Sequence, residues 1–176
     1  MTGESRTTHR LVLLSMLSAC GLILFVFESF LPLLPWFRPG LGNIATILAL
    51  LMFGFGDALK VTLLRIVLGA LILGRLFTPV FVFALCGGLA SAVVMAVAHR
   101  YGKRIFSPVG ISVLGAAVHN VVQLLVAYLL FVKSIEIFIF TPVFLVAGIG
   151  TGALTGLVAA MVMEKAGKRL SGNEYS

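Results

Sequence analysis

Charge is scarce in this chain. Only 11% of its 176 residues are charged, against about 25% in typical soluble proteins, and that deficit excludes an ordinary soluble globular domain. Aspartate is scarcer still: Asp57 stands alone beside five glutamates. Magnesium needs several hard oxygen ligands, so clustered-carboxylate chemistry has almost nothing to work with. The two cysteines, Cys20 and Cys86, both lie inside apolar runs. They read as small packing residues, and neither a disulfide nor a metal framework is implied. No Walker A glycine loop occurs, hence no ATP site of the chain's own. No Ser/His/Asp set or Cys/His spacing supports a nucleophile or a bound metal, and no cofactor is expected.

What the chain has in abundance is apolar sequence. It is 60% hydrophobic with a mean hydropathy of +1.15, which makes it an integral membrane protein. The fold class expected is an all-α bundle of six transmembrane helices, at about 10–31, 40–54, 57–74, 79–98, 109–132 and 139–163. Residues 1–10 form a short N-terminal tail, 11–163 the membrane domain, and 164–176 a C-terminal tail. The second helix is short against the ~20 residues of a full span. Pro32, Pro35 and Pro39 stiffen the first connection, which also carries Trp36, a residue that favours the membrane interface.

Basic residues orient the bundle. Arg6, Arg10, Lys60, Arg100, Lys103, Arg104, Lys165, Lys168 and Arg169 fall on one side of this topology, and Arg38, Arg75 and Lys133 on the other. The bias places both termini in the cytoplasm, in a multi-pass protein of the cell membrane. The net charge of +7 is therefore topological, and no nucleic-acid partner is implied. Leu17-Ser18-Ala19-Cys20 matches a lipobox, but the apolar run continues to Phe27 without a polar tether. It reads as an uncleaved first helix.

The organising stretch is 38–74, two apolar segments joined at Gly54-Phe55-Gly56-Asp57 with Arg65 in the second. Pro39-Gly40-Leu41-Gly42-Asn43-Ile44-Ala45-Thr46, Phe53 to Ala58, and Leu64-Arg65-Ile66-Val67-Leu68-Gly69 resemble the Gx transporter family. That family is often labelled heptaprenyl diphosphate synthase component I, and it is similar in architecture to the S components of energy-coupling-factor vitamin importers. The resemblance spans roughly Leu11 to Met163. It implies a membrane coupling subunit and cytosolic ATPases as partners, and a docking face of small residues on the first helix. Ser15 and Ala19, four residues apart, resemble that face. Catalytic synthesis of a prenyl diphosphate does not fit a chain with one aspartate.

Small residues recur every four positions elsewhere too: Gly148, Gly152 and Gly156 in the sixth helix, and Ala84, Gly88, Ala92 and Ala96 in the fourth. These read as packing faces, since lipid tails are as apolar as leucine and close backbone approach must hold such helices together.

Few polar groups fall at membrane depth. Counting ~1.5 Å per residue across a ~30 Å core, Glu28, Asn43, Thr46, His119, Asn120 and Gln123 gather in the outer half, ~17–26 Å from the cytoplasmic side. Arg65 comes out lower, at ~12 Å. It is expected to lean inward, toward helix-end carbonyls or Asp57, in a structural or coupling role, with anion binding as the alternative. Glu28 is expected to pair with Arg38 or Arg75. His119 and Gln123 share a face at i and i+4. With Asn43, Thr46, Asn120 and a capping Trp36 they form a candidate substrate site. The function expected is the substrate-capturing subunit of a small-molecule, vitamin- or precursor-like importer. The alternative is a membrane scaffold or accessory subunit of an isoprenoid, quinone or flavin-linked redox assembly.

The orientation is testable in a chain with Cys20 and Cys86 replaced. A membrane-impermeant thiol reagent added outside is expected to label Phe37→Cys or Ser134→Cys and to spare Tyr101→Cys. The opposite pattern overturns the topology.

Overall fold

Helix ends follow local turn chemistry in the computed structural model, which describes residues 3–30, 40–102 and 105–172. Pro79 and Pro108 open two helices at the position where a missing N–H costs nothing. Thr78 and Ser107 precede them in extended conformation, and Ser107 Oγ accepts from the Gly110 N–H at 3.2 Å. The result is six α-helices: α1 (Gly3–Glu28), α2 (Asn43–Phe53), α3 (Phe55–Ile72), α4 (Pro79–Tyr101), α5 (Pro108–Ala127) and α6 (Thr141–Gly172). Between α5 and α6 the chain makes a π-helical turn, Tyr128–Val132, a left-handed Lys133, and a 3-10 turn, Ile135–Phe140. No strand occurs among the described residues.

The six-helix, all-α architecture is the one the sequence predicts. Four segments are long and apolar enough to cross a membrane: Thr7–Glu28, Pro79–Tyr101, Pro108–Val132 and Ile135–Ala166. The other two helices are α3, which carries Asp57, Lys60 and Arg65, and α2, which has 11 residues and so runs only ~16 Å. Helix α1 begins inside the stretch expected as a tail, and α6 continues well past Met163.

The short helix is the central one. Helix α2 packs against α1, α3, α4, α5 and α6 alike. Its residues Ala45 to Leu50 are buried without interruption, as expected of a helix that is hydrophobic all round. Its core partners are Ala58 and Val61 from α3, Met95 from α4, Ile111 from α5 and Ala159 from α6. One sharp correction concerns its connection to α3. The sequence suggests a four-residue turn over 54–57, but Gly54 alone breaks the helical path. Its φ of 92° is a conformation that glycine adopts freely and other residues rarely do.

The expected packing faces are used inside the chain. A Cβ on Gly152 would lie 2.6 Å from Val113 Cα, and one on Gly156 2.6 Å from Val109 Cα, so these glycines bring the α5 and α6 backbones together. Ser112 and Thr155 add a hydroxyl–hydroxyl bond of 2.6 Å across the same seam. Gly88 of α4 faces Ile66 and Thr62 of α3.

This seam gives a matched test. Gly152→Leu is expected to lower the melting temperature in detergent, since overpacking against backbone costs about 1–3 kcal/mol. Gly150→Leu, where an added Cβ meets nothing within 4 Å, is expected to leave it unchanged. Equal effects would show that the α5–α6 seam is not held by backbone contact.

Candidate functional site

A one-residue turn fixes the level of every residue in the α2–α3 hairpin. Both helices rise ~1.5 Å per residue, so positions equally far before and after Gly54 lie side by side. Thr46 and Thr62 are each eight residues from it, and their hydroxyls are 2.8 Å apart. Asn43 and Arg65 are each eleven away, and Arg65 Nη2 donates to Asn43 Oδ1 at 2.6 Å. Both residues are buried, at 4% and 3% exposure. A guanidinium thus lies at the N-terminal end of a short central helix, ~16 Å from the turn.

Glycines make the room. A Cβ on Gly42 would strike the Arg65 guanidinium, one on Gly21 of α1 would sit 3.2 Å from Arg65 Cδ, and one on Gly88 3.9 Å from Arg65 Nη2. The neighbouring Gly87 faces His119 of α5, with only 3.0 Å from its Cβ position to Nδ1. Gly40 lies between the two groups, 3.1 Å from Asn43 Nδ2 and 3.8 Å from His119 Cδ2 on the same construction. Asn43, Arg65 and His119 therefore belong to one continuous polar cluster, walled by backbone from α1, α4 and the approach to α2.

On α5, His119 Nε2 and Gln123 Nε2 are 3.0 Å apart, a hydrogen bond in which ring tautomer and amide orientation set the donor. Asn120 faces the other way, toward α6, and donates to the Phe144 carbonyl at 2.7 Å. Gly148 is the small residue that admits it, with its Cβ position 2.8 Å from Asn120 Nδ2.

Four buried side-chain atoms in and beside this cluster have no hydrogen-bond partner in the described structure: Asn43 Nδ2, Ser91 Oγ, Asn120 Oδ1 and Gln123 Oε1. Buried polar groups are nearly always paired, and leaving one unpaired costs about 1–3 kcal/mol. A donor and several acceptors are thus held unpaired deep in an apolar bundle.

One expectation needs correction here. Arg65 does not lean toward Asp57. That carboxylate is held by Arg10 of α1, whose Nε donates at 2.9 Å, and by Lys60 Nζ at 3.0 Å. The height count failed because it placed the start of α2 near the outer surface; α2 is too short to reach there, and Asn43 sits level with Arg65. Glu28 is buried at the C-terminal end of α1. Its carboxylate accepts from the Leu41 N–H, which pins the end of α1 to the approach to α2. Arg38 and Trp36 lie outside the described residues.

Thr46 belongs to the hairpin contact with Thr62 rather than to the His119–Gln123 face. Ser91 on α4 escaped the sequence reading, as did the glycine walls; Gly87-Gly88 followed by Ser91 on one helix was the available signal. Ser15 and Ala19 are exposed along an open groove of about 420 Å3 between α1 and α3, lined also by Leu11, Leu14, Ser18 and Leu64.

Residues 17–162, which contain the hairpin, the glycine walls and the polar cluster, match the family model for heptaprenyl diphosphate synthase component I. The chain belongs to that family. No curated protein and no solved structure matches it. For this member of the component I family, the match covers α2 to α5 entirely, the second half of α1 and most of α6.

The two threonines can be weighed by a double-mutant cycle. Thr46→Val and Thr62→Val are expected to couple by about 0.6 kcal/mol, and by no more than ~1.7, the range for hydrogen bonds between membrane helices. Additive effects in reversible unfolding in detergent–lipid mixtures would show that this contact does not tie the hairpin.

Proposed function

We propose that the chain is the substrate-capturing membrane subunit of a small-molecule importer, energised by separate coupling and ATPase subunits. The observation that carries this reading is the polar cluster half-way along the bundle. Arg65, Asn43, His119 and Gln123 converge there from three helices, with the donor Asn43 Nδ2 and the acceptor Gln123 Oε1 unpaired. Intramembrane ionisable groups are expensive and ordinarily functional, and a short helix ending inside a bundle is a recurrent way to present a site at membrane depth. The inventory fits a vitamin-sized or precursor-like molecule with hydrogen-bonding groups at one end.

In this reading the protein sits in the cell membrane with both termini in the cytoplasm, and substrate enters from outside. The exposed Ser15–Ala19 groove supports docking of a coupling subunit, since small residues allow close helix approach. The chain itself is taken to be non-catalytic. Its single aspartate is engaged by two basic side chains, which leaves no carboxylate cluster for magnesium-assisted diphosphate chemistry.

The family's name favours a second reading, an accessory membrane subunit of an isoprenoid-forming assembly, in which the α1–α3 groove meets a synthase partner instead. Purification in mild detergent, with mass spectrometry of the proteins and small molecules retained, separates the two. Coupling and ATPase subunits with a bound small molecule support import; prenyltransferase or redox partners without one support the second.

Mutation sharpens the test. His119→Ala is expected to weaken affinity for the co-purified molecule roughly three- to hundredfold, as one or two hydrogen bonds are lost from a desolvated site. Ala19→Leu is expected to weaken association with the partner and leave that affinity intact. Unchanged affinity in His119→Ala with a lowered melting temperature would mean that the cluster only holds helices together.

A further inference from the structure

A second groove opens at the Gly54 end of the bundle, remote from the polar cluster. It measures about 380 Å3, and its lining includes Leu50 and Phe55 of the hairpin and Val93, Val97 and Arg100 of α4. The α4 wall is a single helical face: Val93, Ala96, Val97, Arg100 and Tyr101 follow one another at steps of three, one, three and one. That face changes character along its length, from apolar at Val93 to cationic at Arg100. Gly54 keeps the opposite side open, since a Cβ there would meet nothing within 4 Å.

The charged end is all of one sign. Its ionisable lining groups are His99, Arg100 and Tyr101, without an acid. No carboxylate pairs with Arg100 among the described residues. Its guanidinium carbon instead sits 5.9 Å from the centroid of the Tyr101 ring, a geometry that holds the cation at the groove mouth without neutralising it. Lys103 and Arg104 follow directly in sequence.

We infer that this groove is a site for an anionic phospholipid, its acyl chain against Leu50, Phe55, Val93 and Val97 and its phosphate on Arg100. The depth is right for that occupant: Arg100 closes a membrane-length apolar helix, which puts it at the hydrocarbon boundary where headgroups lie. The charge selects among lipids. A zwitterionic headgroup would bring an ammonium into a mouth lined only by basic and neutral groups, whereas a net-negative headgroup meets complementary charge. The inference is independent of the import reading and requires only that the bundle lie in a membrane.

The test uses the full chain in nanodiscs made from equal amounts of phosphatidylglycerol and phosphatidylcholine, with retained lipids counted by native mass spectrometry. Phosphatidylglycerol is expected to be retained about fivefold over phosphatidylcholine, the factor for one basic side chain at a headgroup. Arg100→Gln, an exposed position that leaves the packing untouched, is expected to bring the ratio close to one. Val97→Trp, which fills the groove from a position 51% exposed, is expected to reduce retention of both lipids. Equal retention by the unmodified chain overturns the proposal. So does a preference that survives both substitutions, or a second copy or foreign protein in place of lipid.

Discussion

The architecture depends on a register constraint set at Gly54. One residue in a left-handed conformation reverses the chain, and with no slack in the turn the two helices cannot slide past each other. Thr46 must meet Thr62, and Asn43 must meet Arg65. A looser turn would let the arginine seek water at a membrane surface, as long basic side chains ordinarily do. Here the register of the hairpin commits it to the middle of the bundle.

That commitment is tolerable because α2 is central and short. Its residues Ala45 to Leu50 are covered on every side by the other helices, and Asn43 at its first position is itself only 4% exposed. At the opposite end Arg10 and Lys60 gather on Asp57, tying α1 to the hairpin where its helices begin and turn. The hairpin is therefore anchored by ionic contacts at one end and by a buried amide–guanidinium contact at the other. Polar interactions are worth modest amounts singly in membranes, and here they act mainly to select one arrangement among several apolar ones.

Much of this was legible in the sequence. Apolar runs and small-residue repeats indicated six helices and packing faces on α4 and α6, because these features act locally. His119 and Gln123 were legible as a pair because i and i+4 share a face whatever the tertiary fold. The level of Arg65 was not. Its height was counted from the Asp57 end and that of Asn43 from the opposite surface, which is valid only if α2 spans the membrane. A helix of 11 residues breaks that assumption. Glycines contributed to the error in a second way: Gly21, Gly42, Gly87 and Gly88 lie far apart in sequence, and nothing local reveals that they surround the same side chains. The role of an absent side chain emerges only when the helices are assembled.

Those walls also bear on how the family could diversify. Around Arg65, His119 and Asn120 the boundary is formed largely by glycine, the smallest residue available. Where larger side chains line a chamber, shaving them one at a time creates space for bigger guests. No such path exists here, since every substitution at Gly42, Gly87 or Gly148 adds bulk. Single mutations at these positions can only tighten the packing around Arg65, His119 and Asn120, and under the proposed import function a descendant adapted to a larger guest would have to move whole helices apart. Laboratory selections for broadened specificity should therefore mutagenise helix-packing positions such as Gly152 and Gly156, not the walls themselves.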